Sequence, residues 1–323
     1  MDNPSKRILV TGATGQIGSE LVPKLRRSYG KENVVICVHK RPPLSDISDG
    51  PFEQVDVADK KTINKAVEFH DIDTIYHLAA ILSAAGEIDP WLAWRVNMEG
   101  TFNVLEVARE NKMTRVFCPS SIASFGPETP RINTPQDTVL RPRTMYGITK
   151  VAGELLCNYY FYKFGLDVRG LRYPGIISNK TLPGGGTTDY AVEIFYEALK
   201  KGEYQCFLRE DTTLPMMYMP DCVKATFNLM NSPLANLKHH ADYNLAAISF
   251  SPKELASEIK KYIPKFKIKY VPDHRQAIAD SWPETIDDSF ARKEWGWQHS
   301  YNLPTMVEDM LKVLNEKMKQ KKS

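Results

Sequence analysis

Tyr146 and Lys150 are the two side chains in this sequence whose types and spacing best suit proton transfer. Residues four apart lie one turn from each other on the same face of a helix. A phenol keeps its proton at neutral pH, but a neighbouring ammonium stabilises the phenolate and makes the ring a usable base. A Tyr-x-x-x-Lys pair also occurs by chance on protein surfaces, so its meaning depends on the other motifs of the chain.

A serine upstream of this pair is the second candidate for chemistry. The apolar run before it ends in Ser120 and Ser121. Ligands of open α/β sheets bind beyond the carboxyl ends of the strands, so we expect Ser121 to donate a hydrogen bond to a substrate oxygen. The alternative is a serine that only forms a strand-end turn. The order of the motifs along the chain favours the functional interpretation.

A glycine-rich turn near the N-terminus has the spacing Gly-x-x-Gly-x-x-Gly, formed by Gly12, Gly15 and Gly18. A predicted strand precedes it and a predicted helix follows it, which is the context of a dinucleotide-binding turn. The helix N-terminus offers free N–H groups to the phosphates. We expect these glycines, with Gln16 and Ile17 between them, to bind a dinucleotide. The alternative is a structural turn that binds nothing.

The end of the predicted second strand leaves the cofactor type open. An acid usually stands there and binds the adenosine ribose hydroxyls, but this chain has Val38. His39, Lys40 and Arg41 follow, and basic residues without an acid are typical of a site for a 2′-phosphate, as in NADP. The alternative is that Lys40 and Arg41 only belong to a solvated loop.

Two further segments are predicted to contact the dinucleotide. Asp56 and Val57 follow the third strand, and the Asp56 carboxylate is placed to accept a hydrogen bond from the adenine amino group. Leu78, Ala79 and Ala80 follow the fourth strand, where small residues let the backbone pass close to the cofactor.

Short β-rich runs alternate with longer amphipathic runs in the first half, which predicts an α/β fold with a doubly wound parallel sheet. The predicted strands are Arg7–Thr11, Val34–Val38, Phe52–Val55, Thr74–Leu78, Arg115–Pro119 and Asp167–Arg172. The predicted helices of this half are Gln16–Arg27, Lys60–Glu68 with Asp59 as N-cap, Trp91–Asn111 and Met145–Phe164.

The second half predicts a smaller C-terminal substrate domain interleaved with this Rossmann sheet. Pro174–Asp189 is rich in Gly, Pro and Thr and is predicted to be a loop, and Asp242–Ala247 is a late strand that rejoins the sheet. We therefore divide the chain into residues 1–175, plus about 242–247, and a substrate-binding portion of residues 176–241 and 248–323. Further helices are predicted at Ala191–Lys201, Pro220–Ser232, Pro252–Tyr262 and Leu303–Lys317, with a strand at Lys267–Val271.

Composition is that of an ordinary globular protein. The 323 residues are 42% apolar and 25% charged, with a net charge of +3. The basic tail from Lys317 to Lys322 is interpreted as a solvated helix end, so we expect no nucleic-acid partner. No apolar run approaches the roughly 20 residues that span a bilayer, and no metal-binding pattern is present. Five unpatterned cysteines and the absence of a visible targeting segment predict the cytoplasm or the mitochondrial matrix.

Taken together, these motifs resemble the extended branch of the short-chain dehydrogenase/reductase family. They are Gly12-x-x-Gly15-x-x-Gly18, Asp56, His77-Leu78-Ala79-Ala80, Asn97, Ser120-Ser121, Tyr146-x-x-x-Lys150 and Leu171-Arg172-Tyr173-Pro174, followed by Ile176. The resemblance implies that Tyr146 is the acid/base, that Ser121 orients the substrate oxygen and that Lys150 also binds the nicotinamide ribose. It further implies that Asn97 organises the structure and water behind that lysine, and that Tyr173 and Ile176 contact the cofactor.

Within this branch the chain resembles the L-threonine 3-dehydrogenases. The resemblance implies oxidation of the threonine 3-hydroxyl to 2-amino-3-oxobutanoate with NAD, although Val38 departs from that group's acid. The segments that carry it are Ile81–Glu87, Arg172–Ser178, Pro183–Ala191, Leu214–Asp221, Asp280–Pro283 and Asp287–Trp297. The implied substrate-binding residues are Ser83, Ser121, Tyr146, Thr187, Thr188, Asp189 and Trp282. Trp282 as a core aromatic residue and Asp189 as a helix cap remain the alternatives.

Two alternative functions and a prediction of assembly complete the interpretation of the sequence. A nucleotide-sugar epimerase or dehydratase, and a non-catalytic dinucleotide-sensing protein, are the alternative functions. Apolar residues on more than one face of Trp91–Asn111 and Met145–Phe164 predict a homodimer, as in relatives, with burial inside the subunit as the alternative.

Overall fold

The computed structural model describes residues 6–40, 42–43, 45–182, 184 and 186–320. Arg41 of the expected basic loop, Pro183 and Gly185 of the expected Gly-rich loop, and Lys321 and Lys322 of the tail lie outside these residues.

A parallel sheet of six of the described strands, in the order β3-β2-β1-β4-β5-β7, is the base of the fold. Helices cover both faces, so the inner strands β1 and β2 are buried; β2 is apolar throughout, and β1 is apolar up to its last residue, Thr11. The register places Ile8 of β1 beside Val34 of β2 and Thr74 of β4. The strands are β1 (Ile8–Thr11), β2 (Val34–Val38), β3 (Phe52–Gln54), β4 (Thr74–His77), β5 (Arg115–Phe117), β6 (Ser120–Ser121), β7 (Val168–Arg169), β8 (Leu171–Tyr173), β9 (Gly175–Ile177), β10 (Glu203–Cys206), β11 (Leu214–Tyr218), β12 (Tyr243–Asn244), β13 (Ile248–Phe250) and β14 (Lys267–Tyr270).

Local capping explains where several helices begin. The predicted N-cap Asp59 is confirmed, since its carboxylate accepts a hydrogen bond from Lys61 N, and the Thr144 hydroxyl accepts one from Gly147 N. The helices are α1 (Gly18–Tyr29), α2 (Lys60–Phe69), α3 (Ser83–Ile88), α4 (Pro90–Trp94), α5 (Gly100–Glu110), α6 (Met145–Phe164), α7 (Tyr190–Lys201), α8 (Met219–Asn231), α9 (Pro252–Tyr262), α10 (Arg275–Asp280), α11 (Ser289–Trp295) and α12 (Leu303–Gln320). Short 3-10 turns lie at Lys31–Asn33, Ser45–Ile47, Ile122–Ser124 and Leu234–Asn236.

Two predictions around the sheet are corrected. The single strand predicted at Asp167–Arg172 is two short strands, β7 in the six-stranded sheet and β8 in a second sheet of order β12-β8-β6. The chain changes partners at Gly170, whose N–H donates to His240 O at 2.8 Å. The late strand within Asp242–Ala247 exists as β12, but it pairs with β8 and not with the large sheet.

The structure also differs from the sequence prediction in the extent of one loop and one helix. Pro174–Asp189 is not loop throughout, because Gly175–Ile177 forms β9 and pairs with β11. The predicted helix Trp91–Asn111 is helical but interrupted, since a π-turn at Arg95–Glu99 separates α4 from α5. Helices α3, α10 and α11 and strand β13 were not predicted, because short elements have too few residues to show a clear hydrophobic period.

Apolar side chains form cores on both faces of the large sheet and a third core in the C-terminal portion. The C-terminal core packs α7, α9 and α12 around β11 and includes Trp282. All five cysteines are buried and unpaired. Among the described helices, none has the length and apolarity needed to cross a membrane.

Candidate active site

A cleft of about 240 Å³ opens beyond the carboxyl ends of the central strands. It brings together predicted residues from distant parts of the sequence, and these line it from opposite sides. From the glycine turn and the strand ends come Gly12, Gly15, Gln16, Ile17, Gly18, Leu78, Ala80, Ser121, Tyr173 and Ile176; from the helices and the second half come Ser83, Tyr146, Lys150, Thr187, Thr188, Asp189 and Trp282.

The glycine turn has the geometry of a phosphate cradle. Gly12 has a φ of 65°, and a Cβ at this position would lie 2.6 Å from Ala79 N, so only glycine fits. Gly15 N donates to Gly12 O at 3.0 Å, and α1 begins at Gly18 with its N-terminus at the cleft. A backbone that excludes even a methyl group and ends in a helix N-terminus fits the pyrophosphate of a dinucleotide.

The turn is tied to the second half of the chain. Gln16 Nε2 donates to Ile176 O at 3.3 Å, which joins the turn to β9. In the first turn of α1, the Glu20 carboxylate accepts a hydrogen bond from Ser178 Oγ at 2.7 Å. Burial raises the pKa of Glu20, while Ser178 and the ammonium of Lys180 oppose that rise. The walls of the cleft are therefore connected directly.

Tyr146 and Lys150 lie together on α6 at the cleft. The Lys150 ammonium is 5.3 Å from the centroid of the Tyr146 ring and donates to Pro119 O at 2.8 Å. The helix packs closely against the segment after Ser121, because Gly147 has no Cβ and one placed there would lie 2.2 Å from Ala123 O. The arrangement holds a half-exposed phenol beside a fixed cation, which suits acid/base chemistry.

Ser121 lies at the end of β6 and lines the same cleft. Its Oγ accepts a hydrogen bond from Ala123 N at 3.2 Å, which starts the turn that follows. The alternative role as a strand-end turn serine is thus real, but it uses the oxygen as an acceptor and leaves the hydroxyl proton available to a ligand.

A buried ion pair lies behind Ser121. The Glu154 carboxylate accepts hydrogen bonds from Arg172 Nε at 2.9 Å and Nη2 at 2.8 Å, and from the Ser120 hydroxyl. Arg172 Nη1 also donates to Gln136 O at 2.9 Å and to the Asn244 side chain at 3.1 Å. Burial raises the pKa of the Glu154 carboxyl, and the guanidinium of Arg172 and the Ser120 hydroxyl oppose that rise. The pair joins α6 to β6, β8 and β12.

The opposite wall of the cleft is polar and buried. Thr187 is 1% exposed, and its Oγ1 has no hydrogen-bond partner among the described residues. The Asp189 carboxylate accepts a hydrogen bond from Gly186 N at 2.6 Å and does not cap α7 with its side chain, although Asp189 occupies the N-cap position. Ser83 is also buried, and Trp282 both lines the cleft and packs in the C-terminal core.

A second cavity of about 30 Å³ lies on the inner side of Lys150. Asn97 borders this cavity and not the main cleft; its amide binds the backbone of Ile81 at 2.8 and 3.1 Å and Thr149 Oγ1 at 3.1 Å. His77 Nδ1 is 2.9 Å from Thr11 Oγ1, and burial lowers the pKa of His77 to about 3. The imidazole is therefore neutral at physiological pH.

The remaining predicted residues form what we call the adenosine end: His39, Lys40, Asp56 and Val57. None of them lines the main cleft. Asp56 Oδ2 is 3.8 Å from both His39 Nε2 and Arg95 Nη2, and the three side chains are 35 to 57% exposed. Val57 and Ala79 make backbone hydrogen bonds within the protein. Val57 O accepts one from Asn103 Nδ2 at 3.0 Å, and Ala79 N donates one to Thr11 Oγ1 at 3.3 Å.

Sequence reasoning did not assign some residues that line the cleft. They adjoin predicted ones, so the signal was their position within motifs already recognised. They are Leu82, Pro119, Ser120, Ile122, Pro174, Gly175 and Gly186.

Comparison with known proteins agrees with the geometry. Residues 8–246 match the NAD dependent epimerase/dehydratase family. The mitochondrial L-threonine 3-dehydrogenase of Bos taurus is 48% identical over 307 residues, covering 95% of this chain and 82% of that protein. The crystal structure of L-threonine dehydrogenase from Phytophthora infestans is 54% identical with a TM-score of 0.93, covering 97% of this chain and 100% of that one.

A monomeric L-threonine 3-dehydrogenase from a metagenome is 48% identical, with a TM-score of 0.92 over 96% of this chain and 99% of that one. Similarity at this level over almost the whole length establishes the relationship, and the chain belongs to the NAD dependent epimerase/dehydratase family.

Proposed function

We propose that this protein oxidises the 3-hydroxyl of L-threonine to 2-amino-3-oxobutanoate, with NAD as the hydride acceptor, as a step of threonine degradation. The observation that carries the proposal is the meeting of Ser121, Tyr146 and Lys150 in the cleft that begins at the glycine turn. Relatives about half identical to this chain are named L-threonine 3-dehydrogenases, which supports the substrate.

The chain's own residues supply the proton chemistry. Tyr146, as phenolate, removes the proton from the threonine hydroxyl while Ser121 donates a hydrogen bond to the same oxygen. Lys150 stabilises the phenolate, and its bond to Pro119 O fixes the ammonium beside the ring. The nicotinamide, when bound, accepts the hydride from the carbon that carries this oxygen. Orientation of the reactants by the cleft lowers the barrier by up to about 7–11 kcal/mol.

The polar wall of the cleft is suited to an amino-acid zwitterion. Thr187 brings a buried hydroxyl without a partner among the described residues, and hydroxyls of this kind bind carboxylates. Asp189 places a carboxylate at the cleft for the substrate ammonium, and Trp282 contributes an apolar surface. The division proposed from sequence fits these roles, since residues 176–241 and 248–323 carry all three side chains.

The Tyr146→Phe variant tests the acid/base assignment. We expect it to bind the dinucleotide normally and to lose turnover by at least about a hundredfold, because the ring can no longer exchange a proton. Tyr262→Phe is the matched control, because Tyr262 is 49% exposed at the end of α9 and does not line the cleft. Steady-state kinetics with threonine and calorimetric titration with the dinucleotide measure both effects. Near-normal turnover in Tyr146→Phe would exclude the assignment.

The substrate class is tested separately. The wild-type protein is incubated with NAD and either threonine or UDP-glucose, and reduced cofactor is followed by its absorbance. We expect reduction with threonine only. Reaction with UDP-glucose alone would identify a nucleotide-sugar enzyme, and reaction with neither would leave a dinucleotide-sensing protein.

We also propose that the protein forms a homodimer through α4, α5 and α6. Apolar side chains on this face are strongly exposed in the single chain, and a second copy of the same helices would cover them. The most exposed are Trp91 at 70%, Phe102 at 48%, Leu155 at 65%, Tyr159 at 52% and Tyr162 at 74%.

Light scattering coupled to size exclusion tests the dimer. We expect the mass of two chains for the wild type and of one chain for Leu155→Glu, because a carboxylate at the centre of an apolar interface is costly to bury. Phe69→Glu is the control, since Phe69 is 75% exposed at the end of α2, which is not one of the three interface helices. A wild-type mass of one chain would contradict the proposal.

A further inference from the structure

The second strand ends without the group that selects between the two nicotinamide dinucleotides. Val38 is the last residue of β2 and is 6% exposed. In this fold an acid at that place binds the hydroxyls of the adenosine ribose, and its charge repels a phosphate on the 2′-oxygen. A valine can do neither. The discrimination against a 2′-phosphate that an acid would provide is therefore absent from this strand.

The carboxylates near the strand end each have a nitrogen partner, and the ammonium of Lys40 is exposed. Lys40 is exposed, and no carboxylate among the described residues lies within ion-pair distance of its ammonium. The Asp56 carboxylate is bracketed by the His39 imidazole and the Arg95 guanidinium, each at 3.8 Å. The nearby carboxylate Glu53 is engaged by His70 at 2.9 Å.

The backbone after β2 is held in place at the same point. Gln54, the last residue of β3, donates from Nε2 to His39 O at 2.9 Å. Because β2 and β3 are parallel neighbours, this bond fixes the residue before Lys40 at the carboxyl edge of the sheet. Lys40 therefore follows a backbone segment that is fixed in position, while its long side chain can adjust. Its ammonium can bind a phosphate as a point charge.

We propose that the adenosine end accepts a 2′-phosphate, with Lys40 and Arg95 as its cationic partners, so that NADP binds no more weakly than NAD. This inference rests on the proposed function only in taking a dinucleotide as the ligand. The absent acid removes the repulsion, and the unpaired ammonium provides the attraction.

Calorimetric titration with adenosine nucleotides tests the proposal without any catalysis. The probes are 5′-AMP, adenosine 2′,5′-bisphosphate and adenosine 3′,5′-bisphosphate; the last has the same phosphate groups in a different place. We expect the 2′,5′ compound to bind at least as tightly as 5′-AMP and more tightly than its 3′,5′ isomer. Weaker binding of the 2′,5′ compound than of 5′-AMP, or equal binding of the two isomers, would overturn the proposal.

Two variants locate the effect. Val38→Asp places an acid at the strand end. We expect it to lower the affinity for the 2′,5′ compound about tenfold or more relative to that for 5′-AMP, because two negative groups then face each other. Lys40→Ala is expected to lower the affinity for the 2′,5′ compound about threefold, the size of effect typical of an exposed charge pair. Lys65→Ala removes an exposed lysine from α2 and serves as the control, with no change. Unchanged binding of the 2′,5′ compound in both Val38→Asp and Lys40→Ala would refute the assignment of these residues.

These titrations are independent of the reaction. If the protein is inactive on threonine but prefers the 2′,5′ compound, this inference holds and the proposed function is wrong. If the protein oxidises threonine with NAD but does not bind the 2′,5′ compound, the proposed function holds and this inference is wrong.

Discussion

The catalytic end of the cleft (Ser121, Tyr146, Lys150) and the adenosine end differ in how their polar groups are held. Behind the catalytic end, Glu154 and Arg172 are buried and each makes several hydrogen bonds, so packing fixes their geometry. At the adenosine end the charges lie on exposed side chains 3.8 Å apart, with little packing around them. Removing one partner of a buried pair is costly to stability, whereas exposed charges interact weakly and are screened by salt.

The largest effect is expected from breaking the buried pair. Arg172→Met leaves the Glu154 carboxylate buried without its partner, which costs about 3–5 kcal/mol of unfolding free energy. Chemical denaturation followed by circular dichroism measures the loss. Adding Glu154→Gln in the same chain should recover part of it, because the uncompensated charge is then removed.

The control is an exposed pair of similar length. Lys60 and Glu110 are 2.7 Å apart, and their side chains are 39% and 42% exposed. Lys60→Met should cost less than about 1 kcal/mol. Equal losses in Arg172→Met and Lys60→Met would mean that burial does not separate the two kinds of pair.

A smaller effect is expected from adding one methyl group to the phosphate cradle. In Gly12→Ala the residue must adopt a left-handed φ of 65° and its Cβ meets the backbone of Leu78 and Ala79 at 2.6 Å. We expect a loss of about 2 kcal/mol in unfolding free energy and a loss of affinity for 5′-AMP. Denaturation and calorimetric titration measure the two quantities.

The matched control is the same change on the catalytic helix. Gly153 lies inside α6, and a Cβ there meets no atom within 4 Å. Gly153→Ala should therefore raise the unfolding free energy by roughly 0.5–1 kcal/mol through helix propensity. A loss of stability in Gly153→Ala, or none in Gly12→Ala, would contradict the distinction between the two sites.

The same contrast explains what could be predicted from sequence. The bounds of α6 and the glycine turn were predicted correctly, because a long helix with a capping Thr144 and a glycine spacing are local properties. The short strands after Val168 were not, since β8 and β9 are set by pairing with β6, β12 and β11 across the fold. A short segment of sequence does not specify which distant strand it will pair with.

The smallest effect is expected at a partly exposed charge cluster between α5 and α6 that does not line the cleft. On α5, Glu106 accepts hydrogen bonds from Arg109 at 2.9 and 3.0 Å and from the Tyr160 hydroxyl of α6. These hydrogen bonds lower the pKa of Glu106 to about 2; the bonds from Arg109 have the largest effect, followed by the bond from Tyr160. A carboxyl whose pKa is lower in the folded state stabilises the fold above its ordinary value near 4.5, and this contribution is lost as pH falls towards 2.

Glu106→Gln should therefore lower the unfolding free energy by less than about 1 kcal/mol at pH 7, because solvent reaches the Glu106–Arg109 pair and screens it. The gap between wild type and variant should narrow progressively as the pH falls from about 4.5 to about 2. Denaturation at pH 7, 4 and 3 measures the gap, with Glu68→Gln, an exposed acid on α2, as the control. A gap that widens on acidification would mean that Glu106 stabilises the protein in its protonated form, and the α5–α6 contact would then belong with the buried network, not with the exposed charges.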